Sequence, residues 1–293
     1  MGTSALRHRI GRSALRCEPG PARVLVVADG NPYQWADPAF LRSDQYLNEA
    51  NLCARQCIYA YQQPRVDLPG AVMDLAVRTG DEVVVDVGCG NGAYLAELAR
   101  RGHRGPVVGV DLSVGMLEAA HRATPRAQLA AADACQLPIR TGAVSLVLAI
   151  HMLYHVPDPA DAVTELRRVL APGGRLYVVL NAQDHLGELR NAVQQARYEA
   201  GLGASPFGER LRLAEGHEML EAAFTSVVRH DFVSELVLSR PEPLEAYVKS
   251  MIDTALVPEQ QREGYVARVL GHLPWARTGV VRIKTHSGCL VCC

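Results

Sequence analysis

The most specific chemical pattern in this sequence is a glycine-rich turn behind a run of apolar residues. The run at 83–87 holds one acidic residue, Asp86, and leads directly into Gly88, Gly90 and Gly92. Because glycine lacks a Cβ, a ligand can approach the backbone closely there, and the following helix offers free N–H groups at its N-terminus. A carboxylate just before the turn repels a pyrophosphate and suits a cationic group. The turn therefore predicts a ligand with an ammonium group and no phosphate.

Two more carboxylates follow the next two apolar runs. Asp111 closes a run 21 residues beyond Gly90, where a carboxylate can accept hydrogen bonds from both hydroxyls of a ribose. Asp133 follows the run at 127–132, in a position to receive an adenine amino group. Each of these residues alone could be a solvated loop residue or a helix cap. Three acidic residues at successive strand ends predict a nucleoside site.

The glycine turn taken alone has a second interpretation. Gly88, Gly90 and Ala93 satisfy the loose G-x-G-x-x-G/A fingerprint of dinucleotide-binding proteins, which favours a nucleotide-dependent oxidoreductase. Asp86 and Asp133 count against this alternative.

Apolar runs alternate with amphipathic helices around these residues. Continuous Val/Leu runs without polar alternation indicate strands that are covered on both faces. The pattern predicts an α/β fold: a Rossmann-like, doubly wound, mostly parallel sheet with an antiparallel final pair, plus a helical cap and insertions. We expect strands at 81–87, 106–110, 127–132, 144–150, 176–180, 227–238 and 279–292, and core helices at 91–101, 113–123, 158–170 and 214–224.

Three kinds of segment are predicted along the chain. Residues 1–22 are expected to form a mobile tail, and residues 23–80 an N-terminal cap in which 43–61 is one helix. Residues 81–293 form the core. Its helical cap insertions, at 182–213 and 241–275, are expected to lie over the carboxyl ends of the strands, where ligands of such sheets bind.

Composition excludes several classes of protein. The 293 residues are 48% hydrophobic, and 30 basic against 31 acidic residues give a net charge of −1. Such a balance leaves no excess field for a polyanion, so no nucleic acid partner is expected. No apolar stretch reaches the length of a membrane span, so no membrane partner is expected either. Eight cysteines without a secretory signal predict reduced thiols in a cytoplasmic protein. The oligomeric state stays open.

Four motifs occur in order between residues 81 and 181. They are Val-Asp-Val-Gly-Cys-Gly-Asn-Gly (85–92), Gly-Val-Asp-Leu-Ser (109–113) with Met116, Asp133 with Leu137-Pro138, and Glu-Leu-Arg-Arg-Val-Leu-Ala-Pro-Gly-Gly-Arg-Leu (165–176). In these motifs the sequence resembles the class I S-adenosylmethionine-dependent methyltransferases, particularly the type 11 group that includes ubiquinone/menaquinone-biosynthesis-like enzymes. Outside 81–181 the likeness fades, and that is where the acceptor is chosen.

The resemblance implies S-adenosyl-L-methionine as the cofactor and S-adenosyl-L-homocysteine as its product. Similar enzymes also place a Tyr or Arg from the N-terminal region on the cofactor carboxylate, which makes Tyr46 and Arg55 candidates. Nine residues apart, these two fall on opposite faces of an unbroken helix. By the resemblance, Asp86, Gly88 and Gly90 surround the methionine part, Asp111 the ribose, Leu112 and Met116 the adenine faces, Asp133 with the adjacent Ala134 the adenine edge, and Ile150 and His151 the sulfonium.

Candidate catalytic residues lie just after the strand at 144–150. His151 or His155 could remove a proton from a hydroxyl or ammonium acceptor, because an imidazole titrates near neutral pH, and Tyr154 lies between them. A scaffold or cofactor-contacting role for these residues is the alternative. On position alone, an acceptor pocket could be lined by Tyr33, Trp35, Tyr154, Asp184 and His185.

The cysteines form two groups that could bind zinc. Cys53 and Cys57 share a helix face, and Cys289, Cys292 and Cys293 end the chain. Neither group has paired C-x-x-C arms, so we expect no metal.

Taken together, these patterns predict a methyltransferase that acts on oxygen or nitrogen of a small-molecule acceptor, such as a compound of specialised metabolism. The alternatives are an RNA- or protein-directed methyltransferase, a nucleotide-dependent oxidoreductase, and a silent binding module that keeps the fold.

Overall fold

A computed structural model describes residues 37–205 and 211–293. The predicted tail at 1–22, Tyr33 and Trp35 lie outside the described residues. The strands are β1 (Gln62–Gln63), β2 (Val84–Val87), β3 (Val107–Asp111), β4 (Gln128–Ala131), β5 (Val144–Ile150), β6 (Leu170–Asn181), β7 (Val227–Leu238) and β8 (Val281–Cys292). The α-helices are α1 (Pro38–Phe40), α2 (Ala50–Cys57), α3 (Leu68–Ala76), α4 (Ala93–Arg100), α5 (Val114–Ala123), α6 (Pro159–Val169), α7 (Gly187–Glu199), α8 (Leu213–Ala223), α9 (Glu242–Lys249), α10 (Ile252–Ala255) and α11 (Arg262–Gly271).

The eight described strands form one sheet in the order β1-β7-β8-β6-β5-β2-β3-β4. Strands β2 to β6 pair in parallel, whereas β8 runs antiparallel to both β6 and β7, and β1 antiparallel to β7. This arrangement confirms the predicted Rossmann-like, mostly parallel sheet and its antiparallel final pair.

Alternate residues of the central strand β5 enter two different hydrophobic cores. Val147 and Ala149 pack with α6 and α8 on one face of the sheet. Leu146 and Leu148 pack with α3 and α4 on the other face. Because both faces are covered, both sets of side chains must be apolar, which explains the unbroken Val/Leu runs.

The single helix predicted at 43–61 is wrong. The chain forms a π-helical turn at Leu41–Gln45, breaks at residues 46–49, resumes as α2 and ends in a 3₁₀-helix at Ile58–Tyr61. Hydrogen bonds from outside the helix stabilise the break: the Ser113 hydroxyl donates to the Tyr46 carbonyl (2.7 Å), and the Asn48 side chain accepts from the Ala50 N–H (2.9 Å). These bonds satisfy backbone groups that an unbroken helix would otherwise pair.

The helices α7, α9 and α11 occupy the two predicted insertions and share a hydrophobic core with the ends of β7 and β8. The cluster includes Leu189, Leu244 and Val266 from these helices, together with Ile58 and Ile283. The second insertion, predicted at 241–275, begins with α9, which ends at Lys249 and is followed by the short α10. Within residues 37–205 and 211–293, no helix is long and apolar enough to cross a membrane.

Candidate active site

A cavity of about 760 Å³ opens at the carboxyl ends of the parallel strands. Its walls include the glycine turn, the segment around the helix break, and Tyr247 of α9. All residues that the sequence predicted as cofactor-binding or catalytic line this cavity: Tyr46, Arg55, Asp86, Gly88, Gly90, Asp111, Leu112, Met116, Asp133, Ala134, Ile150, His151, Tyr154 and His155.

The turn after β2 adopts a backbone that favours glycine. Gly88, Gly90 and Gly92 have φ angles of 71°, 54° and 80°. A Cβ on Gly88 would lie 2.6 Å from the Cβ of Met152, closer than two carbon atoms can approach. The Gly88 N–H donates to the Val110 carbonyl (2.7 Å), which fixes the turn against β3. Gly88 and Gly90 also line the cavity, so their backbone is accessible to a ligand.

Asp86 is a buried carboxylate with an unsatisfied oxygen. Its exposed fraction is 1%, and Oδ2 has no hydrogen-bond partner. Burial, and then the charge of Asp111, raises the pKa of Asp86 to about 7. An unpaired buried oxygen costs free energy, which a cationic donor would recover. The site thus fits a ligand that places an ammonium group beside β2.

Asp111 at the end of β3 holds the turn and still has capacity for a ligand. Its Oδ2 accepts from the Gly90 N–H (2.8 Å) and its Oδ1 from the Ser113 N–H (2.9 Å). Each carboxylate oxygen keeps a second lone pair, so two ribose hydroxyls can also be accepted. Asp133 follows β4, is exposed, and accepts from the Cys135 N–H (2.9 Å).

The helix break brings Tyr46 and Arg55 to the same site, although an unbroken helix would separate them. The guanidinium carbon of Arg55 lies 5.2 Å from the centroid of the Tyr46 ring. Arg55 Nη1 donates to the Ser250 carbonyl (2.9 Å), while Nη2 is buried without a partner. The Tyr46 hydroxyl contacts His155 Nε2 (2.9 Å). A free guanidinium N–H therefore remains for an anionic group such as a carboxylate.

His151 follows β5 with a positive φ of 53°, unusual for a residue with a side chain. Its backbone N–H donates to the Val179 carbonyl (3.0 Å), and its Nδ1 is buried without a partner. Burial lowers the pKa of His151 to about 4, so the imidazole is neutral at neutral pH. Tyr154 has its ring 6.4 Å from that of His151 and 4.6 Å from that of His155.

Sequence reasoning missed several polar residues of the cavity, among them Tyr59, Asn181 and Ser287. Tyr59 lies four residues after Arg55, and this helical spacing was an available signal. Of the residues predicted on position alone, His185 contacts the Tyr59 hydroxyl (3.1 Å) and borders a smaller adjoining cavity of about 110 Å³. Asp184 lines neither cavity, because it pairs with Lys284 and His286.

The two cysteine groups do not form a metal-binding cluster in the described part of the chain. There, no group of three or more His, Cys, Asp or Glu side chains could hold a metal ion. Cys289 and Cys292 are buried in the sheet, and burial raises the pKa of each thiol to about 12.

Comparison with known proteins decides the family. The sequence model of a methyltransferase domain family matches residues 85–178. An uncharacterised methyltransferase of Mycobacterium bovis is 30% identical over 221 residues, which cover 75% of this chain and 85% of that protein. The chain belongs to the class I S-adenosylmethionine-dependent methyltransferases, in the type 11 group.

Other members of the methyltransferase group act on different acceptors. A trans-aconitate 2-methyltransferase of Methylobacterium radiotolerans is 35% identical over 48% of this chain and 53% of that protein. A 23S rRNA (guanine(748)-N(1))-methyltransferase of Streptomyces fradiae is 33% identical over 59% of this chain and 60% of that protein.

The fold is shared with solved structures of low sequence identity. A structure from Anabaena variabilis, named as a methyltransferase of an antibiotic biosynthesis pathway, has a TM-score of 0.58 at 19% identity and covers 77% of this chain and 96% of its own. The [4+2]-cyclase SpnF has a TM-score of 0.51 at 23% identity, over 77% of this chain and 80% of its own.

Proposed function

We propose that this methyltransferase binds S-adenosyl-L-methionine across the glycine turn and transfers its methyl group to oxygen or nitrogen of a small-molecule acceptor. The observation that carries the proposal is Asp86 Oδ2, a buried carboxylate oxygen without a partner beside a turn built for close backbone approach. When bound, S-adenosylmethionine supplies an ammonium group for this oxygen and a methyl group on a positively charged sulfur. An acceptor lone pair displaces that methyl group in line.

Each predicted cofactor residue receives a role in this proposal. Gly88 and Gly90 leave room for the methionine part, and Asp111 accepts the ribose hydroxyls. The orphaned Nη2 of Arg55 and the Tyr46 hydroxyl are proposed to hold the cofactor carboxylate. The remaining contacts are Leu112 and Met116 on the adenine faces, Asp133 and Ala134 at the adenine edge, and Ile150 near the sulfonium.

The size of the cavity supports an acceptor of metabolite size. The N-terminal segment contributes Tyr46 and Tyr59 to its walls, and α9 contributes Tyr247. Exclusion of water there strengthens the electrostatic contacts that orient the reacting groups. We propose a specialised metabolite as the acceptor, and a cytoplasmic setting that suits the free cysteines.

A second candidate acceptor is RNA, because one relative is a 23S rRNA methyltransferase. The net charge of −1 gives this chain no electrostatic excess for a polyanion, which favours the small molecule.

A labelled-transfer experiment tests the proposal. The protein is incubated with S-adenosylmethionine that carries a deuterated methyl group, together with either a small-metabolite extract or ribosomal RNA. We expect a labelled small molecule and an equal amount of S-adenosylhomocysteine, both strongly reduced when Asp111→Ala replaces the wild type at limiting cofactor. Label that enters only the RNA would overturn the small-molecule assignment.

A further inference from the structure

Carboxylates gather at one end of the large cavity. Asp86 lies in β2, Asp111 ends β3 and Asp133 follows β4; these three strands all lie on one side of β5 in the sheet. Asp67, the residue before α3, also lines the cavity. This end complements the positive charge of the proposed cofactor.

The opposite end of the cavity presents hydroxyl and amide groups. Strands β6 and β8, beyond β5 in the sheet, contribute Asn181, Thr285 and Ser287. No Asp or Glu of β6 or β8 borders the cavity, among the residues the structure describes. The hydrogen-bond directions at this end determine what it can bind.

The Tyr59 hydroxyl is forced to act as a donor toward the cavity. The backbone N–H of His286 donates to His185 Nδ1 (3.0 Å), so that nitrogen carries a lone pair and the ring proton lies on Nε2. His185 Nε2–H therefore donates to the Tyr59 oxygen (3.1 Å). Burial lowers the pKa of His185 to about 3, which agrees with a neutral ring. Tyr59 keeps its own hydrogen, which has no acceptor in the described part of the protein.

Asn181 is oriented in the same sense at the end of β6. In the structure the Ser287 hydroxyl donates to Asn181 Oδ1 (2.8 Å), so the amide oxygen is directed at Ser287. The amide nitrogen, with two N–H donors, is then left for the cavities that Asn181 borders. Two polar side chains on different elements thus offer donors at one end of the cavity.

We propose that the methyl acceptor is bound as an oxyanion, a phenolate or carboxylate, by the Tyr59 hydroxyl and the Asn181 amide nitrogen. This inference rests on the proposed methyl transfer and names its acceptor class. Hydrogen bonds to an ionised oxygen are about twice as strong as neutral ones, so oriented donors select the anion over a neutral alcohol. Tyr59 and Asn181 are positioning residues that hold a reactive lone pair.

The proposed transfer needs no base. The acceptor oxygen forms a bond to the methyl carbon as the carbon–sulfur bond breaks, and the electron pair of that bond stays on sulfur. No proton is released, because the oxygen is already ionised. His151 follows β5 and lines the same cavity, where burial keeps its imidazole neutral at neutral pH.

A chromophoric phenol tests the inference without turnover. 4-Nitrophenol is added to protein saturated with S-adenosylhomocysteine, at a pH about one unit below the pKa of the free probe. We expect binding to favour the coloured phenolate, with absorbance per bound probe rising about fivefold if its pKa falls by about one unit. 4-Nitrobenzyl alcohol, which stays neutral, is the matched control and is expected to bind at least about tenfold more weakly.

Two variants test whether the phenolate absorbance depends on the Tyr59 hydroxyl and the Asn181 amide. Tyr59→Phe removes one hydroxyl, and Asn181→Asp keeps the oxygen that Ser287 contacts while replacing the amide donors with a negative charge. Each is expected to weaken phenolate binding by about tenfold or more. Tyr61→Phe is the matched control, because the Tyr61 hydroxyl accepts from Arg240 (3.2 Å) and does not line the cavity.

The outcomes separate this inference from the proposed function. If S-adenosylhomocysteine binds but the probe binds as neutral phenol, or not at all, the oxyanion assignment is overturned and the methyltransferase function stands. A phenolate signal that Tyr59→Phe and Asn181→Asp both leave intact, in proteins that still bind S-adenosylhomocysteine, also overturns it. Failure of S-adenosylhomocysteine itself to bind contradicts the proposed function.

Discussion

The buried carboxylate of Asp86 is expected to make cofactor binding depend on pH. Its pKa lies near 7 in the free protein, because burial and Asp111 disfavour its charge. An ammonium partner favours the ionised form, so binding releases a proton at any pH below that value. Affinity for S-adenosylhomocysteine is therefore expected to rise by up to about tenfold per unit from about pH 5.5 to about pH 7.

Calorimetry across this pH range measures the effect, and Asp86→Asn is the matched control. The substitution keeps the shape of the side chain and removes its titration, so its affinity is expected to be lower and nearly independent of pH. Burial also raises the pKa of Asp111, which contributes a slope of the same sign. A wild-type affinity that falls as pH rises over this range would refute the role of Asp86.

Substitution of His151 tests whether this residue removes a proton from the acceptor or only contacts it. If the acceptor arrives as an oxyanion, His151→Ala is expected to lower kcat by less than about threefold, with a larger effect on KM. A general base would instead give a loss of about 10²- to 10⁴-fold in kcat. Steady-state kinetics with an identified acceptor discriminates between these results. The measurement compares His151→Ala with Tyr154→Phe and His155→Ala.

At the residue scale the sequence predicted that Asp86, Asp111 and Asp133 come together, because the parallel strands that carry them end at one edge of the sheet. It did not predict Tyr59 or Asn181. Their donor directions depend on His185 and Ser287, which lie 126 and 106 residues away along the chain. No local pattern records such pairings.

The break between the π-helical turn and α2 positions the side chains of Tyr46 and Arg55 at the cofactor side of the cavity. Its backbone passes so close to α5 that a Cβ on Gly115 would overlap the carbonyl of Leu47. Gly115→Ala must displace this segment, at a cost of about 1–3 kcal/mol in the free energy of unfolding. Because Tyr46 and Arg55 flank the break, we also expect weaker binding of S-adenosylhomocysteine.

Gly105→Ala is the matched control for this prediction. A Cβ there would overlap backbone atoms of Asp81 and Glu82, which do not line the cavity. Thermal melting and calorimetry are expected to show a lower Tm for both variants and a weaker affinity for Gly115→Ala alone. Equal affinity losses in the two variants would show that the break has no special role in binding.

The positions of β5 and β7 were predictable from the sequence, whereas β1, the early start of β6 at Leu170 and the break in the helix at 43–61 were not. The residue bounds of β5 and β7 agree with the predicted 144–150 and 227–238, since buried strands carry a continuous apolar signal. The break at 46–49 is stabilised by Ser113, a tertiary contact that overrides helical periodicity.

At the scale of the whole molecule, the state of the cysteines bears on whether a bound metal contributes to the stability of the fold. The thiols of Cys289 and Cys292 are buried in β8, and burial disfavours the thiolate that zinc requires. Elemental analysis of protein purified without chelator is expected to find less than about 0.1 zinc per chain. One zinc per chain would reverse this prediction.

Charge is distributed unevenly along the cavity. The acidic end lies at β2 to β4 and suits the proposed cofactor, whereas the donor-rich end lies at β6 and β8 and suits the proposed acceptor. The sequence predicted the acidic end, because acidic residues after apolar runs are visible locally. The donor-rich end arises where β8 returns beside β6 and pairs Ser287 with Asn181, and only the folded sheet brings those residues together.

The most direct test of the account is a calorimetric titration of the wild type and Asp111→Ala with S-adenosylhomocysteine, and of the wild type with NADH. We expect one molecule of S-adenosylhomocysteine per chain and no binding of NADH. We expect about 10- to 150-fold weaker binding by folded Asp111→Ala, because two ribose hydroxyls lose a charged acceptor and the Gly90 N–H loses its partner. Tight NADH binding without S-adenosylhomocysteine binding would contradict the account, and unchanged affinity in Asp111→Ala would remove the ribose assignment.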